Sequence, residues 1–102
     1  MKLVRVKHED VIHYGALEDD VINLLSAAPW QSGFFTNIQV PISEGRLLAP
    51  CTPSKVVGLA INFPGATGLD PKATEPLVFL KHSQSVIGPG DRIISPFGDT
   101  PV

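Results

Sequence analysis

The chain has 102 residues, of which 43% are hydrophobic and 18% charged, and its formal net charge is −2 at pH 7. This composition is typical of one small globular domain, or of a small domain with part of a second. Because basic residues do not outnumber acidic ones, nucleic-acid binding is not expected, and no uncharged apolar stretch is long enough to span a bilayer. The N-terminus lacks the apolar core of a signal peptide. The single cysteine, Cys51, can form no internal disulfide, which favours a cytoplasmic location.

The first 25 residues predict an antiparallel β meander. Apolar and charged side chains alternate at its start, with the period of a half-buried strand. We predict strands at residues 2–7, 11–17 and 21–25, joined by acidic turns at residues 8–10 and 18–20. The third segment also fits a short helix, but the β-branched Val21 and Ile22 favour a strand. A meander of this size is marginally stable alone.

Residues 26–45 predict a connecting segment, with a loop or short helical turn before a brief extended piece at residues 38–42. Residues 55–61 are nearly continuously apolar, which predicts a strand buried on both faces. Such a strand needs covering layers on both sides, and the rest of this chain is too short to supply them. We therefore expect the chain to be part of something larger.

The remaining sequence predicts a loop and three short strands. Residues 62–76 hold three prolines and two glycines, which favours a loop. Residues 77–81 predict a strand. Residues 86–94 predict a strand, a tight Gly-Pro-Gly-Asp turn at residues 88–91 and another strand. The whole pattern is mainly β.

From residue 47 onward, short motifs follow one another in a recognisable order. They are Leu47–Pro50, Pro53–Lys55, Asn62–Phe63, Glu75–Lys81, Ser85–Asp91, Ile93 and Pro96. In order and spacing they resemble the fumarylacetoacetate hydrolase family, in particular its shorter bacterial members. The N-terminal part, through Met1–Val6 and Tyr14–Gly15, resembles the small β domain (DUF2437-like) that precedes the catalytic domain in many members.

The resemblance implies a domain organisation. It places a small N-terminal antiparallel β domain and linker at residues 1–45, and the start of a rolled β catalytic domain, left incomplete, at residues 46–102. The parent would be an isomerase, decarboxylase or hydrolase of aromatic catabolism, similar to 2-hydroxyhepta-2,4-diene-1,7-dioate isomerase. Its substrate would be a small 2-oxo acid, with Mg²⁺ or Mn²⁺ as Lewis acid. A homodimer, or association through exposed strands, is the expected assembly.

Two parts of the family pattern are missing. The family's metal carboxylates are a Glu-x-Glu pair and a later Asp beyond the matched region, and this chain has no Glu-x-Glu. We therefore predict no metal site in these 102 residues, and no activity for the chain alone. The usual lid-loop His and Glu correspond to Ala66 and Leu69, and Phe63 replaces the usual Tyr. Neither lid residue can transfer a proton, which disfavours hydrolysis more than isomerisation or decarboxylation.

Two residues remain as candidates for substrate binding, and none is assigned as catalytic. The family counterpart of Lys81 lies near the substrate carboxylate, although an exposed strand-end lysine needs no such role. Asn62 follows the apolar strand, where its amide would bind substrate or simply cap a turn. His82 should point away from Lys81 and lie on the surface.

Three hypotheses remain open. The favoured one is the N-terminal portion of a family enzyme. The second is a short, non-catalytic binding module that pairs its strand edges with a full-length relative. The third is half of a split enzyme. In each case the apolar strand should make the isolated chain aggregate or dimerise.

Overall fold

The computed structural model describes residues 1–66, 68, 70, 72 and 74–98, in which it contains seven strands and three short 3₁₀ turns. The strands are β1 (Lys2–His8), β2 (Val11–Glu18), β3 (Val21–Leu25), β4 (Phe35–Pro41), β5 (Arg46–Leu48), β6 (Val56–Ala60) and β7 (Leu77–Lys81). The 3₁₀ turns span Pro29–Gln31, Ile42–Glu44 and Ser83–Ser85. The mainly β prediction is confirmed.

The chain divides into two compact units. Residues 1–51 and 87–98 form the first, and the described residues between 52 and 86 form the second. The domain assignment of 1–45 and 46–102 stays a prediction, since it concerns the organisation of a longer protein.

Five antiparallel strands form one sheet in the first unit, in the order β4-β3-β2-β1-β5. The predicted meander is confirmed, including a strand rather than a helix at Val21–Leu25. The β1–β2 turn has both central residues, Glu9 and Asp10, at positive φ of 48° and 61°. That is the geometry of a type I′ turn, which matches the twist of the strands it joins. The sequence did not predict β5, which pairs with β1.

One face of this sheet holds the core. Val6, Ile22, Leu24 and Val40 form a buried cluster, and partly buried side chains of Val4, Leu17, Ile42 and Leu47 pack against it. The register explains the cluster, because Val6 is paired with Leu47 and Ile22 with Val40. Gly15 allows the close packing, since a Cβ there would lie 2.5 Å from Ile22 Cγ2 and 2.9 Å from a backbone oxygen.

The predicted Gly-Pro-Gly-Asp turn is confirmed. Gly90 has a φ of 77° after Pro89, as a type II turn requires, and the Asp91 amide donates to the Gly88 carbonyl at 3.2 Å. The strands predicted on either side of this turn are wrong. Among the described residues, no strand pairs with them, and Ile93 and Ile94 are 83% and 86% exposed.

The second unit contains a two-stranded antiparallel hairpin of β6 and β7. Its register pairs Val56 with Lys81 at one end and Ala60 with Leu77 at the other. Both strands are confirmed. Burial of residues 55–61 on both faces stays a prediction for a longer protein, and in the described chain their apolar side chains are exposed, as expected where covering layers are lacking. The side chains that share one face are all more than half exposed, namely Val57, Leu59, Val78 and Leu80. Two strands alone cannot cover both of their own faces.

Candidate functional site

The chain leaves β6 through a strained residue. Ile61 has a φ of 50°, in the left-handed region, which is a genuine outlier for a β-branched side chain. Such conformations cost about 1–3 kcal/mol and persist only where the surrounding structure holds them. The strained residue turns the chain so that the next one, Asn62, lies at the end of the hairpin.

Asn62 lines a groove of about 660 Å³ within the second unit. The groove is lined by Ile61, Asn62, Phe63, Pro64, Gly68, Asp70, Thr74, Glu75, Pro76 and Leu77. Its apolar side chains are joined by two carboxylates, and none of the described residues that line it is basic. The groove is therefore better suited to a neutral or cationic group than to a carboxylate.

Lys81 lies at the opposite end of the hairpin from Asn62. Leu77 is at the Asn62 end of β7 and Lys81 is four residues further along, a rise of about 13 Å at ~3.3 Å per residue. The structure thus places the two predicted substrate-binding residues in separate depressions and does not bring them together. Their roles stay predictions.

The depression at the Lys81 end is a cleft of about 310 Å³. Its lining comprises Ser54, Lys55, Leu80, Lys81, His82 and Ser83. The Lys81 ammonium lies 5.9 Å from the centroid of the Phe79 ring, a cation–π contact on its own strand. His82 is exposed, as predicted, and its Nδ1 accepts a hydrogen bond of 3.1 Å from the Gln84 amide. We call this the basic cleft.

The lid-loop positions 63, 66 and 69 determine whether this part of the chain can transfer a proton. Ala66 has no side chain that transfers a proton, and its backbone N–H donates to the Phe63 carbonyl at 3.2 Å. The Phe63 ring is 61% exposed. Leu69 lies outside the described residues.

A divalent metal ion, as the resemblance implies, requires a cluster of oxygen or nitrogen ligands. Among the described residues, no three His, Cys, Asp or Glu side chains lie close enough together to hold one. These residues therefore do not fit the ion, and we assign no step of a reaction to a metal bound by them.

No helix among the described residues has the length and apolar character needed to cross a bilayer.

Residues 1–50 match the family model described as Rv2993c-like, N-terminal. Protein Rv2993c of Mycobacterium tuberculosis is 28% identical over 112 residues, which cover 100% of this chain and 42% of that protein. A protein of Archaeoglobus fulgidus is 38% identical over 64 residues, which cover 61% of this chain and 26% of that protein.

Solved structures extend the likeness. A Mycobacterium abscessus protein superposes with a TM-score of 0.77 at 33% identity, over 94% of this chain and 39% of its own. The 5-carboxymethyl-2-hydroxymuconate delta-isomerase of Mycobacterium smegmatis gives 0.71 at 27% identity, over 85% and 35%. The 2-hydroxyhepta-2,4-diene-1,7-dioate isomerase of Mycobacterium marinum gives 0.69 at 26% identity, over 85% and 34%.

These comparisons support a fumarylacetoacetate hydrolase-like N-terminal region, as the sequence resemblance implies. This chain spans 42% of the length of protein Rv2993c and 34–35% of the two isomerases. The activity of these longer proteins is therefore only a proposal for this chain.

Proposed function

We propose that this chain forms the N-terminal part of a fumarylacetoacetate hydrolase-family isomerase, similar to 2-hydroxyhepta-2,4-diene-1,7-dioate isomerase. In this proposal residues 1–45 are the small DUF2437-like domain and residues 46–102 begin the catalytic domain. The observation that carries it is the likeness of backbone to two isomerases, at TM-scores of 0.71 and 0.69 over 85% of the chain.

Within this enzyme, Lys81 would contact the carboxylate of a 2-oxo-acid substrate, and Asn62, at the other end of the hairpin, would contact a separate part of the substrate. An ammonium group suits a substrate carboxylate, and an amide can both donate to and accept from an enol or keto oxygen. Mg²⁺ or Mn²⁺ belongs to the proposal for the whole enzyme, with no ligand from this chain. The chain alone would then be inactive.

Isomerisation is favoured over hydrolysis or decarboxylation within this proposal. Hydrolysis needs a group that activates water, and Ala66 and Phe63 offer none at the lid positions. Two relatives carry isomerase names, whereas no relative described above carries the name of a hydrolase or a decarboxylase.

A chimera tests the proposal. This chain replaces the matching segment of the Mycobacterium smegmatis isomerase, and loss of the dienol absorbance of 5-carboxymethyl-2-hydroxymuconate is followed with Mg²⁺ or Mn²⁺. We expect the chimera to isomerise the substrate, and Lys81→Ala to slow turnover by about a hundredfold, the effect of losing one charge-stabilising donor. Lys2→Ala, an exposed lysine of β1, is the matched control and should have no effect.

A chimera with the parent's circular dichroism and oligomeric state that fails to isomerise the substrate would overturn the proposed function.

A second candidate is the non-catalytic binding module, favoured by the exposed apolar face of the β6–β7 hairpin. Its open strand edges could pair with a full-length relative. A stoichiometric complex that forms without activity supports this candidate. Activity that arises only when two chains are mixed supports a split enzyme instead.

A further inference from the structure

Gly58 lies in the middle of β6, although a glycine weakens a strand and has no side chain to pack. Its backbone does not have a positive φ, so the conformation of the chain does not require a glycine there. The space above it does, because Gly58 is paired with Phe79 of β7. A Cβ at Gly58 would lie 2.7 Å from both Cε atoms of the Phe79 ring, closer than non-bonded carbon atoms pack. The absence of a side chain at Gly58 therefore lets the Phe79 ring lie across β6.

The Phe79 ring in turn contacts the side chain of Lys81. The two residues are two positions apart on β7, so their side chains leave the same face of the hairpin. The Lys81 ammonium lies over the ring, 5.9 Å from its centroid, within the range of a cation–π contact. Gly58, Phe79 and Lys81 therefore form one stack on this face of the hairpin, in which each residue sets the position of the next.

No carboxylate holds the Lys81 ammonium in place. Among the described residues, the ion pairs are those of Lys7, His8 and Arg46, and none includes Lys81. A lysine side chain that is not held samples many rotamers, and this freedom is lost when the ammonium binds a ligand. A ring that already restricts the ammonium reduces that loss, which is the usual advantage of a preorganised binding group.

We propose that Phe79 is a positioning residue for Lys81, and that Gly58 keeps the Phe79 ring in place under the ammonium. The role of Lys81 in substrate binding rests on the proposed function, whereas the roles of Phe79 and Gly58 go beyond it. Phe79 acts through Lys81 and needs no contact of its own with the substrate. The stack thus fixes where the Lys81 ammonium lies in the basic cleft.

The first test locates the ammonium by NMR of the 102-residue chain without substrate. Protons above a phenyl ring are shielded, so the ε-methylene protons of Lys81 should resonate upfield of those of Lys2, an exposed lysine of β1. Phe79→Leu removes the ring, and Gly58→Ala displaces it while keeping both Phe79 and Lys81, so each should abolish the upfield shift. Phe79→Tyr keeps a ring and should keep the shift. Val78→Ala, at a 51% exposed position next to Phe79 on the opposite face, is the matched control and should also keep it.

The second test measures kcat/KM in the chimera with the Mycobacterium smegmatis isomerase. Phe79→Leu and Gly58→Ala should each lower kcat/KM about two- to fivefold, the effect of losing one exposed cation–π contact, whereas Phe79→Tyr should retain it. In a chimera that already carries Lys81→Ala, Phe79→Leu should have no further effect, because a positioning residue acts only through the group that it positions. A merely structural role of the ring would lower kcat/KM equally with and without Lys81.

The proposal is overturned if the Lys81 ε-methylene protons of the wild-type chain are not shifted upfield, or if their shift survives Phe79→Leu. Equal losses of kcat/KM with and without Lys81 would overturn it as well. Because the NMR test needs no turnover, an inactive wild-type chimera contradicts the proposed function alone, and the shift still decides whether the Phe79 ring positions the ammonium.

Discussion

The β1–β5 sheet and the β6–β7 hairpin bury their apolar side chains to very different extents. In the sheet, Val6 and Ile22 are fully buried, because five strands supply enough neighbours on one face. In the hairpin, Val57 and Leu80 are 60% and 71% exposed although their sequence is at least as apolar. Hydrophobic content therefore predicts a strand in both regions, but burial depends on how many neighbouring strands the chain brings together.

The largest expected effect is a loss of stability when a buried side chain of the β1–β5 sheet is truncated. Ile22→Ala removes a fully buried side chain of the central cluster and should lower the free energy of unfolding by about 2–5 kcal/mol. The measurement is urea unfolding followed by fluorescence of Trp30, the only tryptophan, whose ring lies 5.2 Å from that of Tyr14.

Ile38→Ala is the matched control, because Ile38 is 57% exposed on β4. Ile38→Ala should lower the free energy of unfolding by well under half as much as Ile22→Ala. Equal losses for the two variants would show that this sheet does not depend on its buried cluster.

The next effect concerns self-association through the exposed apolar face of the β6–β7 hairpin. We expect the isolated chain to dimerise or aggregate through the exposed face of β6 and β7. Leu80→Lys should shift it to monomer in light scattering, with a change in sheet stability of no more than about 0.5 kcal/mol. Val11→Lys, at a 53% exposed position of β2, should leave the association unchanged. A wild-type chain that is already a dilute monomer would contradict this expectation.

The smallest effect concerns the turn that β5 anchors. The pKa of Asp91 lies below its ordinary value because its carboxylate accepts the Gly88 amide hydrogen and pairs with Arg46. Because the pKa of Asp91 is lower in the folded than in the unfolded chain, its carboxylate stabilises the fold at pH values above the pKa of the unfolded chain. This stabilisation is lost as the pH falls through the pKa of the folded chain.

Asp91→Asn should therefore lower the urea midpoint slightly at neutral pH and leave it unchanged in strong acid, where the wild-type carboxyl is protonated. A difference between wild type and Asp91→Asn that persists undiminished in acid would remove the carboxylate as its cause.

The meander could be predicted because its signals are local. Alternating side chains and acidic two-residue turns specify neighbouring strands, and Glu9 and Asp10 adopt the geometry such a turn needs. The strand at Arg46–Leu48 could not be found in this way, because it exists only through pairing with β1. The strands predicted beside the Gly88–Asp91 turn failed for the converse reason: their local pattern is apolar, but no described strand pairs with them.

The candidate site was predictable only in part. Lys81 and Asn62 came from a family resemblance, which gave their identity but not their separation along the hairpin. Lys55 was not selected, because a single lysine before an apolar strand has no distinctive local signal. The sequence does not show that both lysines line the depression at this end of the hairpin, because that depends on the pairing of β6 with β7.

The order of strands in the first sheet also has a kinetic consequence. The β1–β2 and β2–β3 pairs are each closed by a two-residue turn, and such hairpins form in about 1–10 μs. Arg5, by contrast, must find Leu48, and this longer loop costs more entropy to close. During synthesis β5 is also the last of these strands to emerge. We therefore expect the meander to assemble first and the pairing of β5 with β1 to complete the sheet.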